Sequence, residues 1–83
     1  MNAENVIIHR FVKVLEKEAY VVDVPEQKDM YIPVNIEGII HNIYISYDKS
    51  KAKVFSQKEG IILRDFLNQE REGHQYLWLL QEV

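Results

Sequence analysis

Apolar and polar residues along this chain follow two rhythms. Over residues 3–18 the apolar positions Ile7, Ile8, Phe11, Val14 and Leu15 recur at helical spacing and form one stripe. Asn2 can cap such a helix, and Glu4 suits the positive end of its dipole. The opposite side carries His9, Arg10, Lys13 and Lys17. From residue 19 onward the period shortens. Residues 19–24, AYVVDV, form a short β-branched run that Pro25 stops, and the polar loop 25–29 follows. Residues 30–36, MYIPVNI, read as a strand, and 39–47, IIHNIYISY, as the longest strand. Glu37-Gly38 between them predicts a tight hairpin with glycine supplying positive φ. Residues 48–51 turn the chain, and 52–55, AKVF, return as a fourth strand.

A second helix has a clear start. Ser56-Gln57-Lys58-Glu59 fits the capping box, in which the serine hydroxyl and the glutamate carboxylate satisfy each other's backbone N–H groups. The helix is expected to run to about Arg71 on a stripe of Ile62, Leu63, Phe66 and Leu67, with Gly73 as its C′ residue. In the tail after it, leucine and glutamine favour a helix while tyrosine and tryptophan suit a strand; a short helix is expected. The predicted order is α-β-β-β-β-α. This is a single small α+β domain spanning 1–83, a two-layer sandwich with both helices on one face of an antiparallel four-stranded meander.

Register then assigns faces. With Glu37-Gly38 as the loop, Ile36 opposes Ile39, Val34 opposes His41, Ile32 opposes Ile43, and Met30 opposes Ile45. With Lys49-Ser50 as the next loop, Tyr47 opposes Ala52, Ile45 opposes Val54, and Tyr44 opposes Phe55. Since a one-residue slip would flip every side chain, the agreement of apolar with apolar supports both registers. His41 falls on the core face near the closed end of the hairpin, as a core-margin histidine. The opposite face carries Tyr31, Tyr44 and Phe55 in one row across three strands, with Asn35, Asn42, Ser46 and Lys53 around them. An aromatic row with polar neighbours suits recognition, because tyrosine and phenylalanine give large rigid contact area at low entropic cost. Tyr31, Asn35, Asn42, Tyr44, Lys53 and Phe55 are therefore the candidate binding residues. The same row also fits cross-strand pairs that stabilise an open sheet, or a surface covered by the tail. Arg10, Lys13 and Lys17 are the alternative, a basic patch.

Composition narrows the chemistry. At 83 residues, a chain buries only roughly 60–65 % of the surface its unfolded form exposes, so the core is modest. No cysteine is present, which removes disulfides, thiolate zinc sites and cysteine nucleophiles. The three histidines lack short metal spacing, the acidic residues are scattered, and the three glycines stand alone rather than in a phosphate loop. No catalytic residue, metal or cofactor is expected. A net charge of −3 argues against strong nonspecific nucleic-acid binding. No apolar run approaches a membrane span, and the first residues do not read as a signal peptide, so no membrane partner and a cytoplasmic location are expected.

The order helix, antiparallel strands, helix resembles the double-stranded-RNA-binding domain, a family that reads A-form RNA by shape through its first helix, an inter-strand loop and a basic start to its second helix. Here the second helix begins Ser56-Gln57-Lys58-Glu59 without that lysine cluster, and the loop 25–29 lacks the family's Gly-Pro-x-His element. A similar coarse order occurs in small, acidic phage-encoded inhibitors of host nucleases, anti-CRISPR proteins among them. The sequence leads to a non-enzymatic binding module, a protein–protein inhibitor or adaptor. A nucleic-acid-binding domain is the first alternative, and a structural homodimer subunit the second.

Overall fold

A computed structural model describes residues 5–69 and 76–83. Six antiparallel strands and one α-helix make up the described chain: β1 Asn5–Val12, β2 Lys17–Val21, β3 Tyr31–Ile36, β4 Ile39–Ser46, β5 Phe55–Ser56, α1 Gln57–Gln69 and β6 Leu79–Glu82, with a 3₁₀ turn at Lys49–Lys51. The α+β class stands, but the two-helix layout and the four-strand meander do not.

The expected first helix is instead a β-hairpin. Val6, Ile7 and Ile8 are all buried, which a helix stripe does not allow but a strand covered on both faces does. Three consecutive β-branched side chains are also stiff at χ1 and favour the extended chain. The turn between β1 and β2 closes with Leu15 N–H on the Val12 carbonyl at 3.2 Å and Glu16 N–H on Lys13 at 3.1 Å, with Glu16 at φ 55°. Val14 and Leu15, placed on the expected helical stripe, project from its exposed tip. The proposed Asn2 cap lies outside the described residues.

β1 is the organising strand. His9 pairs with Tyr20 on one side and Leu79 on the other; Val6 pairs with Phe55 and Glu82. β2 and β5 therefore share one side of β1 end to end, and β6 takes the opposite side. The tail is a strand, not a helix. Its Trp78 is buried in the core with Ile8, Ala19, Val21, Val34 and Leu67. Asn68 of α1 holds the strand's start: its Oδ1 accepts from Trp78 N–H at 2.8 Å and its Nδ2 donates to the Trp78 carbonyl at 3.2 Å.

The central hairpin has the predicted register, from Ile36↔Ile39 through Val34↔His41 to Tyr31↔Tyr44. Glu37 and Gly38 sit at φ 54° and 87°, both positive as a type I′ turn needs, and Gly38 N–H reaches Asn35 Oδ1 at 2.8 Å. The next register is corrected. β4 pairs with β2 (Tyr20↔Ser46, Val21↔Ile45), not with residues 52–55. After β4 the chain passes through the 3₁₀ turn, touches the residue just past β2 at the Val22↔Ala52 bridge, and only then pairs Phe55 with Val6. Asp48 is a good cap and drives that turn: its Oδ1 accepts from both Ser50 N–H at 3.0 Å and the Ser50 hydroxyl at 2.7 Å.

The helix starts where expected, and one half of the capping box is formed: Glu59 N–H donates to Ser56 Oγ at 3.2 Å. Its proposed end at Arg71 and Gly73 lies outside the described residues. Ser46, expected on a solvated face, is buried. Its Oγ donates to Glu26 Oε1 at 2.5 Å and accepts from Asp48 N–H at 3.0 Å, while Glu26 Oε2 meets Lys51 Nζ at 2.8 Å. This latch ties the loop after β2 to the segment after β4. No described helix is long and apolar enough to cross a membrane.

Candidate functional site

The sheet forks. β2 leaves β1 to pair with β4, while β5 continues along β1, so a wedge opens between β4 and the 53–55 segment. It closes at one end where Val22 N–H bonds the Tyr44 carbonyl at 2.9 Å and Lys53 N–H bonds the Val21 carbonyl at 2.8 Å. Two adjoining clefts fill the wedge. The first, about 270 Å³, is lined by Val22, Asp23, Asn42, Tyr44, Lys53 and Phe55, among others. The second, about 300 Å³, lies over α1 and is lined by Ile36, Lys53, Phe55, Ile62, Leu63 and Phe66, with Glu59 at its margin. Both include Lys53, Phe55 and Leu63, so they form one groove.

Four of the six candidate binding residues, Asn42, Tyr44, Lys53 and Phe55, thus line one cavity, although Phe55 does not oppose Tyr44 in the sheet. Tyr31 reaches the groove only through Tyr44, their rings meeting edge to face at 5.9 Å. Asn35 is placed elsewhere, as the cap of the β3–β4 turn. The expected row of three aromatic rings on adjacent strands is therefore a pair plus a separate ring across a gap. Lys53 Nζ stands 5.1 Å over the Phe55 ring and 3.5 Å from Asp23.

Sequence reasoning missed the helix-side wall. Ile62, Leu63 and Phe66 read as core stripe, but the forked sheet leaves them partly uncovered, with Ile62 50 % exposed. Ile61 beside Ile62 makes the apolar face wider than one stripe needs, and this was the available signal. At the hairpin end, away from the lining of either cleft, Ile39 and Ile40 are 62 % and 60 % exposed. His41 shares a face with Val34, as the register predicts, yet it is exposed. α1 does not extend under the hairpin tip, so the core-margin placement is corrected.

The alternative basic patch is dispersed. Lys13 and Lys17 flank the β1–β2 tip, and Lys17 stacks on Tyr47 at 5.6 Å. Arg10 is half-buried over Trp78 at 5.0 Å, and burial lowers its pKa. His9, expected on a solvated helix face, hydrogen-bonds Glu18 through Nδ1 at 2.8 Å from strand to strand. His74 lies outside the described residues. Among the described residues no three His, Asp or Glu side chains gather as a metal would require. No protein-family model, curated protein or solved structure matches this chain.

Proposed function

We propose that the protein is a non-enzymatic module that binds another protein through the groove between β4 and α1, as an inhibitor or adaptor would. The carrying observation is the groove itself: an apolar cleft lined by Ile36, Phe55, Ile62, Leu63 and Phe66, with Ile62 half exposed. A concave, mostly apolar cleft with a few polar groups at its walls is the usual anatomy of a binding site. The cations distribute differently from what a phosphate-tracking surface needs. Arg10 is spent on Trp78, Lys51 on Glu26 and Lys53 on Asp23.

The test is chemical cross-linking in extract of the cells that make the protein, comparing wild type with Ile62→Glu. This residue is half exposed, so the variant should keep its circular dichroism and melting temperature. Protein cross-links that persist at high salt and vanish in Ile62→Glu are expected. Identical partners for both proteins, or capture of nucleic acid that weakens steeply with salt and depends on Lys13 and Lys17, would overturn the reading.

A further inference from the structure

Several strand segments of this sheet present an outer edge; β5 has only two residues, and β3 and β6 are defended. β3 carries Pro33, which pairs with Asn42 at a position where its missing N–H faces outward. The β6 edge starts at Trp78, where Asn68 occupies both backbone groups, and it carries Glu82. The long edge left open is β4 beyond the fork. Ile45 N–H bonds the Met30 carbonyl, so the odd-numbered residues of β4 bond to β3, and alternation turns the even-numbered ones away. Tyr44 uses its outward carbonyl on Val22. The next two outward residues, Asn42 and Ile40, turn their N–H and C=O groups away from β3, where no described strand pairs with them, and Asn42 lines the groove.

We infer that this groove is a strand-addition site, which takes an extended segment of a partner protein along β4 at Ile40 and Asn42. The inference rests on the protein-binding reading above and names the form of the ligand. Backbone groups open on a strand edge are matched by another extended backbone, not by a helix, whose own groups are already paired. A segment so paired points alternate side chains to opposite faces. One set enters the apolar cleft of Ile36, Ile62, Leu63 and Phe66, and must be aliphatic. The other lies beside Asn42 and Lys53 on the outer face and is polar. Charge adds one more requirement. The groove walls hold Asp23 and Glu59 against Lys53; Lys53 is matched by Asp23, and Glu59 has no ion pair among the described residues. One negative charge remains, so the segment carries a lysine or arginine where it passes the start of α1.

The probe is a phage-displayed library of random linear peptides selected on the whole protein. The expected winners have aliphatic residues at every second position and one basic residue. A synthetic winner should slow amide exchange at Ile40 and Asn42 and leave His41 unchanged. N-methylation of its backbone at alternate positions should cost about tenfold in affinity per bond lost, and at the intervening positions nothing. Glu59→Gln should erase the preference for the basic residue while keeping the helix cap, which uses the backbone N–H. Four results overturn the inference: no selected peptide, winners with helical spacing, equal cost of N-methylation at every position, or protection of Ile40 and Asn42 that appears without peptide and grows with protein concentration. The last means that a second copy of the chain covers the edge. Loss of cross-linking in Ile62→Glu together with any of these leaves the protein-binding reading standing and removes only strand addition.

Discussion

Gly60, in the first turns of α1, packs directly on Val6 of β1: a Cβ at Gly60 would lie 2.5 Å from Val6 Cγ2. Val6 is itself buried, with Phe55 and Leu80 close to the same point. A glycine inside a helix is unfavourable by roughly 1 kcal/mol against alanine. Here it allows the helix to approach the sheet at the place where β5 hands over to α1.

Gly60→Ala is therefore expected to destabilise by about 1–3 kcal/mol, the range for overpacking, in spite of its better helix propensity. Urea unfolding measures this. A gain in stability would mean that Val6 moves aside without cost.

Asn68 replaces a neighbouring strand for Trp78. Asn68→Ala leaves one backbone N–H and one C=O without a partner in a part-buried position, and about 1–3 kcal/mol should be lost. Asn68→Asp keeps the acceptor but not the donor, and should fall between wild type and alanine. The same unfolding experiment ranks the three proteins.

Glu37 holds a left-handed conformation that costs an ordinary residue roughly 1 kcal/mol. Glu37→Asn, giving the pair most favoured in type I′ turns, should raise stability by up to about 1 kcal/mol. An unchanged or lower melting temperature would show that the glutamate side chain makes a compensating contact.

The Glu26 latch predicts a pH dependence. The Lys51 ammonium, and after it the Ser46 hydroxyl, hold the Glu26 carboxyl below the usual glutamate range, and Glu26 in turn raises Lys51. A carboxyl lowered by folding stabilises the fold above its unfolded value of about 4.3, and that contribution is lost as pH falls through the folded value. For Lys51 the sign reverses: its contribution is present below the unfolded value and is lost as pH rises through the folded one. Glu26→Gln should flatten the acid limb of a stability–pH curve. Asp48, also lowered, by its hydrogen bonds to Ser50, remains to give a residual slope.

The parts of the fold legible in the sequence are those specified locally. Positive φ at Glu37-Gly38 and strict alternation on both sides give one register for residues 31–46, and Ser56 with Glu59 marks one helix start. The misread parts depend on distant chain. Ile7, Ile8 and Phe11 satisfy a helical stripe only if Val6 is ignored, and Val6 is buried because Gly60 and Phe55 lie against it. Phe55 looks like a continuation of the meander until β2 takes its place beside β4. Of the candidate site, Asn42, Tyr44, Lys53 and Phe55 were visible from alternation. Ile62, Leu63 and Phe66 were hidden in an ordinary amphipathic pattern, since nothing local says that the sheet above them is split.

Three strands meet β1, and this has a consequence for how the molecule is assembled. The hairpin partner β2 follows within a few residues, so that pairing costs little loop entropy and forms early. The other side of β1 is completed only when Leu79–Glu82 return to it, closing a loop nearly the length of the chain. Such distant pairing slows folding, and until it is made Val6, Ile7 and Ile8 stand on an unprotected strand. Refolding should accordingly be slower than the small size suggests, and aggregation in refolding mixtures should begin at β1.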